Sequence, residues 1–327
     1  MQMRKFGRLG WDVSEVGYGM WGIAGGWDGF TDGDLDIAPD CLDMSVERGV
    51  NFFDTAWIYA EGISEQMLGG LLRRHPGKKL YVATKVPPKT MKWPPLKNHT
   101  LEETYPRDHV REFAEISLRN LGTDCIDLLQ FHTWEDAWAE DETWQRTMTD
   151  LQSEGLIKGI GISVNRWEPA NCLKAIETGL IDAIQVIYNI FDQSPEDELF
   201  AVAQEKGVAI IARVPFDEGG LTGALTEDTR FASDDWRRVY FNEENLVPTV
   251  RRAEALKAVV PAGMNLPELA LRFILQNPAV STVIPGMRQP RHVDANVSVS
   301  GLEPLSAALM AELRNHRWDR QPASWSR

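Results

Sequence analysis

The stretch Glu15–Trp27, with the sequence EVGYGMWGIAGGW, decides between two folds for this chain. Gly17, Gly19 and Gly22 fit the G-x-G-x-x-G spacing of a Rossmann dinucleotide-binding turn. That turn must lead directly into a helix, because the helix N-terminus stabilises the pyrophosphate. Here the residues after the glycines have loop composition, and a helical pattern begins only near Asp36. The spacing therefore indicates a tight loop and argues against a Rossmann fold.

Outward from this stretch, eight short apolar runs recur along the chain, and each is followed by a segment with helical spacing. Several runs are continuously apolar, as expected for parallel strands that are covered on both faces. The candidate strands are VSEVGYGM (13–20), GVNFFDTA (49–56), KLYVATKV (79–86), CIDLLQFH (125–132), LIKGIGIS (156–163), LIDAIQVIYN (180–189), GVAIIARV (207–214) and VSTVIPG (280–286). This alternation favours an α/β fold, a (β/α)8 TIM barrel formed by one domain over residues 1–327, and an open doubly wound sheet is the alternative.

Two connections are unusually long: Pro87–Pro106 follows the third strand and Pro215–Asn245 follows the seventh. Loops of this length within a compact domain are usually lids or substrate walls. A final helix is expected near the C-terminus, beyond the eighth strand.

The composition argues against several classes of protein. No apolar run approaches the ~20 residues needed to span a bilayer, and the N-terminus lacks the apolar segment of a secretion signal. The net charge of −14 argues against nucleic acid or an anionic membrane as the main partner, and an anionic small ligand would need a local basic cluster. Cys41, Cys125 and Cys172 lie far apart without metal-ligand spacing, which predicts reduced thiols, a cytoplasmic location and no metal site.

Polar residues occur at the carboxyl ends of successive predicted strands, which is where a barrel of this kind carries its chemistry. In chain order these residues are Asp54, followed one turn later by Tyr59, then Lys85, His132, Ser163, Gln185 and Arg213. Because parallel strands end at the same rim, we expect these side chains to converge.

An Asp, a Tyr, a Lys and a His on one rim suggest proton transfer. A free phenol has a pKa near ~10, too high for easy proton exchange at neutral pH. A neighbouring ammonium lowers that pKa, and a carboxylate fixes the ammonium in place. Tyr59 would then be the proton donor, with Lys85 as its electrostatic tuner and Asp54 as the anchor of Lys85. His132 would orient the oxygen of a substrate carbonyl or share in the proton transfer.

Each of these four residues also has a purely structural explanation. Asp54 could cap the following turn, and Tyr59 could pack as an aromatic residue on the rim. Lys85 could end its strand in solvent, and His132 could be a hydrogen-bonded core histidine. Their coincidence at successive strand ends favours a catalytic interpretation.

At these residues the sequence resembles the aldo-keto reductase superfamily, and the resemblance covers nearly the whole chain. Residues 49–69, GVNFFDTAWIYAEGISEQMLG, are similar to the family's Asp-x4-Tyr segment and to the Ser-Glu helix start that follows it. YVATKV (81–86) resembles the strand that carries the family's Lys. IDLLQFHTW (126–134) resembles the strand that carries its His.

The second half of the chain resembles the cofactor-binding segments of the same family. GLIKGIGIS (155–163) is similar to the strand whose Ser meets the nicotinamide carboxamide, and IQVIYN (184–189) carries the Gln that faces the ring. VPFDEGGLTG (214–223) and VIPGMRQPRHVDANV (283–297) resemble the late phosphate-binding segments.

The resemblance implies NAD(P)H held in an extended form over the barrel mouth, with no Rossmann domain. It also implies reduction of an aldehyde or ketone to an alcohol by hydride transfer from the nicotinamide, with Tyr59 protonating the oxygen. The cofactor contacts implied are Gly19, Met20, Trp21, Asp54, Ser163, Gln185, Arg213, Pro215, Leu221, Gly223, Pro285, Gly286, Arg288, His292 and Asn296.

Near the nicotinamide the sequence departs from the commonest family pattern. Val164 follows Ser163 where the family often has Asn, so one carboxamide contact is either lost or supplied by Asn165. Arg213 stands where an aromatic residue often stacks on the nicotinamide, and its planar guanidinium could stack there or bind a phosphate.

The last phosphate-binding segment departs as well. His292 stands where many members have Arg, and Ala295 where many have Glu. Arg288, with or without Arg291, is then expected to bind the 2′-phosphate, so that NADP(H) is preferred over NAD(H). A solvated cluster of charges at a helix start is the structural alternative.

An aromatic substrate wall is the last feature that the sequence predicts. The tryptophans at strand ends or in the first long connection are Trp21, Trp57, Trp93 and Trp134, which would suit an apolar or planar carbonyl compound. Ordinary packing at the rim is the alternative for each. Two other functions are considered: a reductase-like regulatory protein that binds NADPH with little turnover, and a Schiff-base aldolase with Lys85 as nucleophile.

Overall fold

The structure is a computed structural model that describes residues 1–23 and 36–320. The loop predicted to follow Ile23 falls on residues 24–35, outside the described part of the chain. The described strands are β1 (Met3–Phe6), β2 (Trp11–Ser14), β3 (Tyr18–Gly19), β4 (Phe52–Asp54), β5 (Tyr81–Val86), β6 (Ile126–Phe131), β7 (Ile157–Ser163), β8 (Ala183–Ile187), β9 (Ala209–Arg213) and β10 (Val280–Val283). The described α-helices are α1 (Ala38–Glu47), α2 (Ile63–Arg74), α3 (Leu101–Thr104), α4 (Arg107–Leu121), α5 (Glu142–Ser153), α6 (Leu173–Glu177), α7 (Leu199–Lys206), α8 (Arg237–Tyr240), α9 (Leu246–Lys257), α10 (Leu266–Leu275), α11 (Pro290–Val297) and α12 (Ala307–Arg314).

Strands β3 to β10 form one parallel sheet, in which each strand pairs with the next in chain order. The two ends of the sheet also meet each other. The backbone N–H of Gly17 donates to the carbonyl of Val283 at 2.8 Å, and that of Gly19 donates to Pro285 at 3.1 Å. A Cβ on Gly19 would lie 2.6 Å from the carbonyl oxygen of Ile284, so this closure requires glycine. The predicted (β/α)8 barrel is confirmed.

The first predicted strand, residues 13–20, differs from the structure. β2 ends at Ser14 and β3 spans only Tyr18–Gly19, because β2 pairs antiparallel with β1 rather than with the barrel. This N-terminal hairpin buries Phe6 and Val13 against side chains at the starts of barrel strands. It therefore covers the end of the barrel opposite to the carboxyl ends of the strands.

The helices cover the outside of the barrel with their apolar faces. On α2, Leu68 and Leu71 are fully buried, and burying each contributes about 1.5–3 kcal/mol relative to an exposed side chain. Helix α4 ends at Leu121, and Gly122 after it has the left-handed φ of 65° that is typical of a residue at a helix C-terminus. A Cβ on Gly69 would lie 2.6 Å from the carbonyl oxygen of Leu121, so the middle of α2 packs closely against the C-terminal end of α4. Helix α12 is the C-terminal helix that was predicted.

Both long connections leave the barrel at the carboxyl ends of strands. The first contains α3, which begins with a capping box between Thr100 and Glu103. The second contains a 3-10 helix, Asp217–Thr222, and α8. Tyr240 and Phe241 of this connection form a separate apolar cluster with α9, so the segment is packed rather than open. Among residues 1–23 and 36–320, no helix has the length and apolar character needed to cross a membrane.

Candidate active site

The carboxyl ends of β4 and β5 bring a carboxylate and an ammonium together inside the barrel mouth. Asp54 is 3% exposed and Lys85 is 0% exposed. The Lys85 Nζ donates to Asp54 Oδ2 at 2.7 Å and to the phenol oxygen of Tyr59 at 3.3 Å. Tyr59 itself is half-buried in the turn after β4. The structure thus groups the three residues that the sequence predicts to act together.

Several further groups fix this arrangement. The Lys85 Nζ also donates to the backbone carbonyl of Thr55 at 2.7 Å. The second oxygen of Asp54 accepts from the Gln185 amide at 2.7 Å and from the Gln130 amide at 3.3 Å. Gln185, which the sequence assigns to the nicotinamide, therefore contacts Asp54 in this structure. Gln130 is not predicted, although a buried amide in the otherwise apolar core of β6 is a signal that could have indicated it.

A buried network behind the site accounts for the Ser-Glu pair at the start of α2. The hydroxyls of Ser64 and Thr55 lie 2.7 Å apart. Thr84, which precedes Lys85 on β5, donates to the Glu65 carboxylate at 2.6 Å, and the Asn120 amide donates to the same carboxylate at 2.8 Å. Glu65 therefore ties β5 to α4 and restrains the strand that carries Lys85.

Burial and charge act in opposite directions on the ionisable groups of the site. Burial raises the pKa of Tyr59, Lys85 lowers it and Asp54 raises it, so that the net pKa lies above the ordinary value of a phenol. The influence of Lys85 has the predicted sign, but burial outweighs it. Burial would lower the pKa of Lys85, yet Asp54 and Tyr59 raise it overall. At neutral pH the site therefore holds a protonated phenol beside a charged ammonium.

His132 follows β6 and faces Tyr59 across the mouth. The two rings make an edge contact with their centroids 5.8 Å apart. Burial, with Lys85 and Arg213 nearby, holds the pKa of His132 well below its ordinary value, so its ring is neutral. Within the described part of the chain, His132 Nδ1 is buried and has no hydrogen-bond partner.

The ends of β7 and β9 lie beside this group. Ser163 is 3% exposed, and its strand is paired in register with Gln185 on β8. The Arg213 guanidinium donates to the carbonyl of Val164 at 3.1 Å. Burial and the neighbouring Arg166 lower the pKa of Arg213 to about 10. Arg213 thus lies next to the Tyr59 and Asp54 group. Its stacking on the nicotinamide or its binding of a phosphate stays a prediction.

Asn165 is engaged elsewhere. Its amide nitrogen donates to the carbonyl of Trp134 at 2.8 Å, and its oxygen accepts from the Thr133 hydroxyl at 2.6 Å. The Asn165 amide is therefore occupied by contacts within the protein.

The segments assigned to the cofactor phosphates lie on the same rim. In the segment after β9, Pro215 and Leu221 are buried and Gly223 has a left-handed φ of 72°. After β10, Gly286 is exposed, and its carbonyl accepts from the Asn296 amide of α11 at 3.4 Å. The remaining candidates near these segments are Gly19, Met20 and Trp21 at the end of β3, Pro285 beside Gly286, and Arg288 and His292 at the start of α11.

The four predicted wall tryptophans have different environments. Trp93, in the first long connection, makes an edge contact with His132 at 5.6 Å between ring centroids. Trp21 lies 6.3 Å from the ring of Trp236 in the second long connection, and Trp57 is half-buried on the rim. Trp134 is 0% exposed and turns into the helical layer, where it contacts the rings of Phe131, Trp138 and Trp144. Trp134 therefore offers no surface to a substrate.

Two largely buried arginines near the mouth were not predicted as site residues. Arg166 donates to the Glu218 carboxylate at 2.6 Å and lies over the Tyr240 ring. Arg320 donates to Asp217 at 2.8 Å. Their partners follow β9, and the sequence separation hides this pairing from any local pattern.

These residues fit a nicotinamide dinucleotide. Within the described residues, Arg213 Nε is buried without a hydrogen-bond partner, so it is a donor that an anionic or carbonyl group could satisfy. A Cβ placed on Gly219 or Gly286 would meet no atom within 4 Å, so both phosphate segments have room beside their backbones. The fold and the site together are those of a (β/α)8 barrel that groups a carboxylate, an ammonium and a phenol at the carboxyl ends of its strands.

Comparison with known proteins agrees with this class. The model of the aldo/keto reductase family matches residues 15–317. An aldo-keto reductase of Bacillus subtilis is 29% identical, over 92% of this chain and 89% of its own length. The NADH-specific methylglyoxal reductase of Escherichia coli is 28% identical, over 92% of this chain and 94% of its own. A holo structure of an aldo-keto reductase from Bacillus halodurans superposes with a TM-score of 0.76 at 27% identity, covering 100% of both chains.

The chain belongs to the aldo/keto reductase family. It is an oxidoreductase of carbonyl compounds and uses a nicotinamide cofactor. The expected function is thereby confirmed at this level, and the regulatory alternative is not favoured. Family membership gives no support to the Schiff-base aldolase alternative.

Proposed function

We propose that this protein is an NADP(H)-dependent reductase of small aldehydes or ketones in which Tyr59 is the proton donor. One observation carries the assignment of roles: the ammonium of Lys85 is fully buried between the Asp54 carboxylate at 2.7 Å and the Tyr59 phenol at 3.3 Å. A buried cation beside a phenol stabilises the phenolate that forms when the proton leaves.

The nicotinamide cofactor supplies the hydride that reduces the carbonyl carbon. Tyr59 donates its proton to the carbonyl oxygen, and its raised pKa keeps that proton in place at neutral pH before the reaction. Lys85 stabilises the resulting phenolate. Asp54, held by two amides, keeps the Lys85 ammonium aligned.

His132 acts beside Tyr59 as a neutral ring. Because its pKa lies well below the ordinary value, it carries one N–H and can donate a hydrogen bond to the substrate oxygen without competing as an acid. This favours an orienting role for His132 over a share in the proton transfer.

The preference for NADP(H) rests on the start of α11. Arg288 precedes this helix and Arg291 lies in its first turn, so two guanidinium groups stand near the positive end of the helix dipole. A 2′-phosphate there would be bound by charge and by the helix N-terminus together. The E. coli relative is named as NADH-specific. The cofactor preference proposed for this chain therefore differs from that of the relative, and it can be measured directly.

The substrate wall is proposed from the three tryptophans that remain at the rim: Trp21, Trp57 and Trp93. Trp93 stands against His132, which places an indole next to the carbonyl-binding position. This environment suits a carbonyl compound with an apolar or planar substituent.

A single domain over residues 1–327 and a cytoplasmic location complete the proposal. The family match from residue 15 to residue 317 supports one domain. All three cysteines are free thiols, and burial raises the pKa of Cys41 and of Cys172, so these two are unreactive. Unpaired thiols are typical of a reducing compartment.

The test is a screen of the purified full-length chain against a panel of aldehydes and ketones, with NADPH and NADH run in parallel. We expect the 340 nm absorbance of the reduced cofactor to fall with a subset of the carbonyls. We also expect kcat/KM to be higher with NADPH than with NADH. Binding of cofactor without turnover across the panel would contradict the reductase assignment, and equal or better use of NADH would contradict the cofactor assignment.

A further inference from the structure

The C-terminal end of the described chain reaches the barrel mouth through one arginine. Arg320 is 8% exposed and donates from Nη2 to Asp192 at 2.6 Å and to Asp217 at 2.8 Å. Its Nη1 donates to the phenol oxygen of Tyr240 at 2.8 Å. The guanidinium also lies over the ring of Trp318 at 4.6 Å. One buried cation therefore joins three separate segments of the chain.

The segment that carries Arg320 is itself held against the barrel. The backbone N–H of Trp318 donates to the carbonyl of Phe191 at 2.8 Å. The Gln193 amide donates to the carbonyl of Leu313 at 3.0 Å. These contacts dock the end of α12 and the chain after it on the loop after β8, and they direct Arg320 towards the next loop of the mouth.

That next loop is the proposed cofactor-phosphate segment, residues 215–223, and its backbone is unusual. Asp217 has a φ of 48° and Glu218 has a φ of 55°, in the left-handed region that side-chain-bearing residues rarely adopt. Such a conformation persists only where the surroundings hold it. Here Asp217 is held by Arg320 and Tyr240, and Glu218 is held by Arg166.

Arg320 supplies the main positive charge beside two carboxylates, those of Asp192 and Asp217. Asp192 and Asp217 are both buried, and both bind the same Arg320 nitrogen. Without that cation, two buried carboxylates would face each other with their main counter-charge removed, and one of them would move towards water. Without Arg320 each carboxylate keeps one side-chain hydrogen bond, Asp192 from Asn189 at 2.9 Å and Asp217 from Tyr240. Asp217 alone of the two also has a left-handed φ, so it is the group that would move.

We propose that Arg320 is a positioning residue for the cofactor: by pairing with Asp217 it holds residues 215–223 in the conformation that binds the dinucleotide phosphates. The inference rests on the proposed assignment of this segment to the cofactor. Arg320 does not touch the reacting atoms. It keeps the binding-competent conformation populated, and the apparent Kd for the cofactor rises in proportion as that population falls.

The test compares full-length Arg320→Ala with Arg317→Ala. Arg317 lies three residues earlier and is also ion-paired, with Asp197 at 2.6 Å, but on the exposed surface. NADPH and NADH are titrated against tryptophan fluorescence, and amide hydrogen exchange of residues 215–223 is measured without ligand. Arg320→Lys is the third variant. Lysine keeps the positive charge, but its single nitrogen cannot reach all three partners that the two guanidinium nitrogens of Arg320 bind.

We expect Arg320→Ala to raise the cofactor Kd by about tenfold or more and to speed exchange in residues 215–223, while β5 exchanges as in the wild type. Arg317→Ala should stay within twofold of the wild type in both measurements, and Arg320→Lys should fall between. The KM for the carbonyl and kcat at saturating cofactor should change little, because the group around Tyr59 is not in contact with Arg320.

Two results would overturn the proposal while leaving the proposed function intact. One is an unchanged cofactor Kd in Arg320→Ala, and the other is faster exchange spread evenly over the barrel, which would mark a general loss of stability. A wild-type protein that binds neither NADPH nor NADH would instead refute the proposed function and this inference together.

Discussion

Replacing Lys85 with methionine tests how much the buried pair at the barrel mouth contributes. Methionine keeps most of the length of the side chain and removes the charge. Asp54 would then be a buried carboxylate without its ammonium, although the amides of Gln185 and Gln130 would still donate to it. Removing one partner of a buried ion pair costs about 3–5 kcal/mol. The two remaining amide bonds place the expected cost near the lower end of that range.

This cost converts to a shift in melting temperature. For a 327-residue chain the unfolding entropy near 60 °C is about 0.7 kcal/mol/K, so a loss of about 3–5 kcal/mol lowers Tm by about 4–7 °C. The double variant Asp54→Asn with Lys85→Met removes both charges, and it should lose less than the sum of the single variants. Contacting residues couple by up to about 3 kcal/mol, so we expect the double variant to melt up to about 4 °C above the additive value.

Thermal melts followed by circular dichroism measure both effects, and Lys97→Met is the matched control. Lys97 also binds two carboxylates, Glu135 at 3.1 Å and Glu168 at 2.7 Å, but its side chain is 68% exposed. Such a pair contributes at most about 1 kcal/mol, which corresponds to about 1.5 °C. If Lys85→Met melts no lower than Lys97→Met, or if the two site substitutions are additive, the argument from burial is wrong.

Two other predictions concern charge at the site. The pKa of His132 lies well below its ordinary value, so the wild type loses stability as the pH falls below about 6.5. The His132→Gln variant should therefore show a smaller drop in Tm between pH 7.5 and 5.5 than the wild type. An equal drop in Tm would mean that His132 titrates normally. Arg288→Ala should raise the KM for NADPH by about tenfold or more, while the KM for NADH changes less than twofold. An equal rise in KM for both cofactors would refute contact of Arg288 with the 2′-phosphate.

Much of the site could be predicted from sequence because a parallel barrel converts chain order into spatial proximity. Every strand delivers its carboxyl end to one rim, so Asp54, Lys85 and His132 could be placed near each other from the strand pattern alone. The turn after β4 then brings Tyr59 back over Lys85. Only local patterns and one general rule of the fold were needed.

The features that sequence patterns missed depend on distant contacts or on side-chain direction. Arg320 and Asp217 are 103 residues apart, and neither belongs to a periodic pattern. Trp134 lies two residues beyond His132, after the strand has ended, so strand alternation no longer indicates which way it points, and it turns into the helical layer. The direction in which the pKa of Tyr59 shifts could not be predicted without knowing how far the phenol is buried, because burial outweighs the influence of Lys85.

The account as a whole depends on the hydroxyl of Tyr59, and Tyr59→Phe tests it most directly. This change removes the proton donor, leaves the ring contact with His132 possible and does not touch the phosphate segments. Stopped-flow measurement of carbonyl reduction, with the cofactor Kd determined on the same preparation, should show a rate lower by about 10²–10⁴-fold and a Kd within twofold of the wild type. A variant that still reduces carbonyls at within tenfold of the wild-type rate would contradict the account.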